Sequence, residues 1–111
     1  MKSVLFLCMA LALPLAASAA DSTPDESFYK KAAEGGLAEV ELGKLAQEKS
    51  SNSSVKEFGS MMASDHAAAN EKLKTIAASK NVKLPTSPSI GQMATKTKLK
   101  TLSGDTFDES Y

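Results

Sequence analysis

The chain has 111 residues, 42% of them hydrophobic, with 13 basic and 13 acidic side chains, which is enough for one small domain. Every basic residue is a lysine, so the forked guanidinium that reads phosphates and base edges is missing. A neutral, arginine-free chain without a basic patch argues against nucleic acid and against an anionic membrane surface as partners.

The first nineteen residues have the pattern of a secretory signal peptide. Lys2 gives a positive start, Val4 to Leu15 is an apolar run, and Ala17-Ser18-Ala19 is a small-x-small cleavage site with the cut before Ala20. The run is shorter than the ~20 apolar residues a spanning helix needs. Cleavage leaves residues 20–111 and removes Cys8, so the mature chain has no disulfide. Cys8 lies inside the apolar run rather than after it, which excludes a lipid anchor. No second long apolar run follows. The expected address is the periplasm or the exterior, with no spanning segment.

Thr23-Pro24-Asp25-Glu26 is a helix start: Thr23 caps, Pro24 suits the first turn, and Glu26 completes a capping box. A first helix is predicted from Pro24 to about Lys49, ~40 Å long at the usual rise. Tyr29, Ala33, Leu37, Ala38, Val40, Leu42 and Leu45 gather on one broad arc. Glu41 falls inside that arc, while Glu34 and Glu48 fit a solvated edge. Gly35-Gly36 either breaks the helix or admits another backbone, and Gly43, on nearly the same side as Gly36, favours close approach. One continuous helix is expected.

Ser50 to Ser54 is a polar break. Asn52 or Ser53 can cap the next helix, or Ser54 can do so in a box with Glu57. So short a connection makes the two helices antiparallel neighbours. The second helix is predicted from about Ser54 to Lys80, with Val55, Phe58, Met62, Ala69, Leu73, Ile76 and Ala77 as its apolar seam. Asn81 suits a left-handed C-terminal position, and Val82 can fold back onto the last turn.

A proline-containing linker, Leu84 to Ser89, leads to Thr95–Leu102, where lysine alternates like an edge strand. No other stretch offers it a partner strand, and a lone strand is not stable. A short, weak helix from about Ser89 to Leu102 is therefore expected. Asp105 reads as a further N-cap, with Phe107 and Tyr111 four apart on a new apolar face. That signal runs off the end of the chain and suggests a truncated product.

The candidate chemistry centres on His66, the one histidine. It is read either as a core histidine bonded to a carbonyl or carboxylate, or as a ligand to a transition metal such as iron. Glu41 and Asp65 are its natural oxygen partners. Glu41 and His66 are offset by about 7 Å along the hairpin axis, and Asp65 and His66 diverge by about 100° on their helix. The Glu-x-x-His motif of iron-carboxylate bundles is absent, since Ala63 stands three residues before His66. Met61-Met62 fits core packing better than copper. Neither a serine–histidine–acid triad nor a phosphate loop is supported.

The text Phe28 to Lys49, FYKKAAEGGLAEVELGKLAQEK, resembles a bacterial family. Further on the match includes Val55-Lys56-Glu57-Phe58, Met62-x-x-Asp65-His66-x-x-Ala69-Asn70, Val82-Lys83-Leu84-Pro85, and Leu102-Ser103-Gly104 to Phe107-Asp108. That family is domain of unknown function 4142, whose members are described as predicted periplasmic or outer-membrane proteins with a ferritin-like fold. The resemblance implies an all-α chain: an antiparallel long-helix hairpin like the first half of a ferritin-like four-helix bundle, plus a short third helix. It implies a partial ferritin-like domain over residues 20–111, because family members continue through two more helices, one carrying another histidine. Asn81 stands where the family commonly has glycine.

Two functions are carried forward. The first is a non-enzymatic secreted helical module, structural, stress-associated or interacting, that self-associates through an uncovered apolar helix face. The alternative is a ferritin-like metal-binding or redox protein using Glu41, Asp65 and His66.

Overall fold

The computed structural model describes residues 24–111. The signal-peptide reading and the Thr23 cap lie outside the described residues. All regular structure in the described chain is helical: α1 Pro24–Lys49, α2 Ser53–Ser79, α3 Ile90–Lys100 and α4 Gly104–Ser110. The expected all-α hairpin is present, with α1 and α2 packed along each other.

Helix α1 stays continuous through Gly35 and Gly36. Its end is closed by Ser50, whose backbone N–H reaches the Ala46 carbonyl. The buried Ser50 hydroxyl accepts from the Asn52 N–H at 3.0 Å. Asn52, in extended conformation, then caps α2: its Oδ1 accepts from Ser54 N–H at 2.9 Å and Val55 N–H at 3.3 Å. This chain of polar bonds turns the backbone around in three residues, Ser50 to Asn52.

At the far end Asn81 takes the left-handed conformation, φ 56°. The Val82 N–H folds back to the Ala77 carbonyl at 2.9 Å and the Asn81 N–H to the Ala78 carbonyl at 3.2 Å. The Ala77 and Ala78 carbonyls near the end of α2 are thereby satisfied, and the chain reverses into the linker.

The alternating lysine segment is helical, not extended. Ser89 and Gln92 form a reciprocal capping box at its start: Ser89 N–H donates to Gln92 Oε1 at 2.8 Å, and Gln92 N–H donates to Ser89 Oγ at 3.3 Å. Thr95 and Thr97 donate their hydroxyls to the carbonyls of Gly91 and Met93, at 3.1 and 3.0 Å, so these β-branched residues are accommodated inside a helix. Asp105 is not an N-cap. It lies in the first turn of α4, where a carboxylate complements the helix dipole, and Ser103 holds the cap position.

Helices α3 and α4 both pack on α1. The core sits at the turn end of the hairpin, where Leu45, Ala46, Leu99 and Phe107 are buried together. Val55, Leu42, Leu102 and Tyr111 close around them. Helix α4 thus occupies one end of the groove beside α1 and α2. Its final ring, Tyr111, stacks on Phe107 at 5.4 Å and meets Phe58 edge-on at 6.4 Å.

Candidate functional site

The two long helices touch through their smallest residues. A Cβ built on Gly59 would lie 2.6 Å from the Gly43 carbonyl oxygen and 2.8 Å from Ala46 Cβ. One built on Gly43 would lie 2.9 Å from the Ala63 backbone nitrogen. Further along, the Asn70 side chain covers Gly36. On α2 the buried positions are accordingly Gly59, Ala63 and Ala77.

The larger apolar residues of α2 are rotated off this seam. Phe58 and Ile76 are each 47% exposed. Ala69 is exposed, and Met62 and Leu73 are half-buried. The predicted seam therefore divides: Ala77 is buried and Val55 packs against the core, while Phe58, Ala69 and Ile76 lie on a separate stripe along the flank of α2, with Met62 and Leu73 half-buried at its inner edge. Close helix contact demands small side chains, which are displaced on the wheel from the bulky ones. At a period of 3.6 residues, Val55, Met62, Ala69 and Ile76 recur almost in line. Helix α4 covers the Val55 end of the stripe.

His66 lies between the seam and the stripe, half-buried. Its Nδ1 is 3.0 Å from the Met62 carbonyl oxygen. A carbonyl only accepts, so Nδ1 carries the proton, and in the neutral ring Nε2 keeps its lone pair. Asp65 is exposed on the outer edge of the stripe. Glu41 points elsewhere: its carboxylate accepts from Lys96 Nζ at 2.7 Å and ties α1 to α3. The structure does not bring Glu41, Asp65 and His66 together. Among the described residues no three His, Cys, Asp or Glu side chains form a group able to hold a metal.

Two features were missed in the sequence. The Gly59-x-x-x-Ala63 spacing opposite Gly43 marks the close crossing, and Ser89-x-x-Gln92 marks the start of α3. A cleft of about 280 Å³ also opens where the linker crosses the hairpin, lined by Leu37, Asn70, Leu73, Leu84 and Pro85 among others. Lys74 at its edge is engaged by Glu71 at 2.7 Å.

Tyr111 ends α4 in a partly enclosed place. Burial and the nearby Glu39 carboxylate both raise its phenol above the ordinary value. No helix among the described residues is long and apolar enough to cross a membrane.

The fold and its site define a helical hairpin with two short helices laid on α1 and one apolar flank left open. Residues 10–111 match the family model described as Domain of unknown function (DUF4142), and the chain belongs to that family. No curated protein and no solved structure matches the chain significantly.

Proposed function

We propose that this chain is an exported, non-enzymatic interaction module whose working surface is the flank of α2 from Phe58 to Ile76. The observation that carries this is the exposure of that stripe. Phe58 and Ile76 stand 47% open on a helix that meets α1 through glycine and alanine. A continuous apolar stripe of this kind marks a docking surface. Its helical periodicity suits an amphipathic helix as the partner, and the antiparallel hairpin supports a ferritin-like bundle as the frame.

A photo-crosslinking side chain at Ala69 tests the surface in cells, with Ser60 on the opposite flank as control. Adducts from position 69 and not from 60 are expected; equal or absent adducts at both would sink the proposal. The export half rests on the pattern Lys2, Val4–Leu15 and Ala17-Ser18-Ala19. N-terminal sequencing should find Ala20 first, and a chain retaining Met1 inside the cell would refute it.

A second reading, transition-metal binding, is favoured by the geometry of His66 alone, whose Nε2 is left able to ligate. In that case His66→Ala lowers bound metal while the helical circular dichroism signal stays unchanged. Equal metal content in both chains removes the reading.

A further inference from the structure

We propose that the partner at this surface is a second copy of the chain, paired through α2 in antiparallel fashion about a two-fold axis at Ala69. This rests on the reading of the stripe as a docking surface, and three observations choose the occupant and its register.

The first is the length left open. Tyr111 of α4 lies against Phe58, so the free part of α2 runs from Gly59 to its end at Ser79. Ala69 is ten residues from each of those limits. Two such helices crossing antiparallel at Ala69 fill each other's open length and stop at α4. The second is size. Ala69 is the smallest member of the stripe, and a small residue at the crossing lets two helix axes come close. Seven residues to either side stand Met62 and Ile76. An isologous pair places Met62 against the partner's Ile76 and repeats that contact across the axis.

The third is charge. Asp65 and Lys72 are both exposed and lie on the same outer edge of the stripe. Neither forms an ion pair among the described residues. They lie four residues before and three residues after Ala69. Antiparallel pairing brings Asp65 beside the partner's Lys72, twice. Parallel pairing carries the two outer edges to opposite sides of the interface, so Asp65 and Lys72 meet no partner charge across it. The charges therefore select the antiparallel dimer.

The test is sedimentation equilibrium on the full chain. A monomer–dimer equilibrium is expected for the native sequence. Asp65→Lys and Lys72→Asp each turn two attractive contacts into repulsive ones, and each should weaken dimerisation by about tenfold. An equimolar mixture of the two variants restores every pair across a heterodimer and should recover near-native association. In a Cys8→Ser background, Ala69→Cys should be joined to itself by a short bismaleimide, and Ser60→Cys should not. A native chain that stays monomeric at millimolar concentration, or a mixture that associates no better than either variant, overturns the proposal. If such a monomer is still crosslinked in cells from position 69 to a different protein, the second copy is wrong and the docking surface stands. If position 69 captures nothing, both fall.

Discussion

The two sides of α2 differ in what they demand of a side chain. On the seam with α1, Gly59 and Ala63 stand where a single added carbon meets backbone. On the stripe, Phe58 and Ile76 project with about half their surface open. The seam is a finished interface in which volume is the controlling quantity. The stripe has apolar area but no geometric constraint yet imposed on it. Hydrophobicity alone therefore does not identify the inter-helix contact in this hairpin; side-chain size does.

The largest break is expected at the core that lies beside the seam. Phe107 is fully buried between α1, α3 and the turn end of the hairpin. Phe107→Ala should cost about 3–5 kcal/mol of the packing that holds α4. Hydrogen exchange should report it: α4 amides lose protection while those of central α1 and α2 keep theirs. Uniform loss along all four helices would show that the core is not confined to this end. Glycines give the next contrast. Gly59→Ala forces a methyl into the Gly43 carbonyl and should destabilise by about 1–3 kcal/mol despite alanine's better helix propensity. A Cβ at Gly35 meets nothing within 4 Å. Gly35→Ala should therefore stabilise by roughly 0.5–1 kcal/mol. Denaturant midpoints of opposite sign for the two variants confirm that the helices touch at Gly59 and not at Gly35; shifts of the same sign would contradict it.

Much of this architecture is legible in the residues. The polar break at Ser50–Asn52 fixes the antiparallel hairpin, and the Asn52 cap and left-handed Asn81 bound α2 as their chemistry requires. Periodicity places Ala77 and Val55 correctly but not Gly59 or Phe58, because it weights residues by hydrophobicity and glycine has no side chain to weigh. At Thr95–Leu102 a period of two points to a strand, but the lack of a partner strand favours the short helix from about Ser89, and α3 is that helix. Local bonds decide that segment: the Ser89–Gln92 box starts the helix, and threonine hydroxyls bond back to carbonyls one turn earlier. The candidate metal residues fail to meet for a similar reason. Glu41 lies inside a broad apolar arc in sequence, but that arc is shared among three helices, and Glu41 faces α3, where Lys96 holds it.

The smallest expected effect on stability separates the stripe from the seam most directly. Ile76 is a large β-branched residue at a predicted core position, and in a finished interface its loss to glutamine would be severe. Here it is 47% exposed. Ile76→Gln should therefore shift the unfolding free energy of the dilute chain by no more than about 0.5 kcal/mol. Glutamine also has the better helix propensity, which opposes the lost apolar contact. The same substitution removes the group set against the partner's Met62, so association should weaken while the fold is kept. Thermal melts at low concentration and sedimentation at high concentration read the two quantities separately. A variant that loses stability in the dilute melt would place Ile76 inside a core after all. One that keeps both stability and association would leave the stripe without a role in pairing.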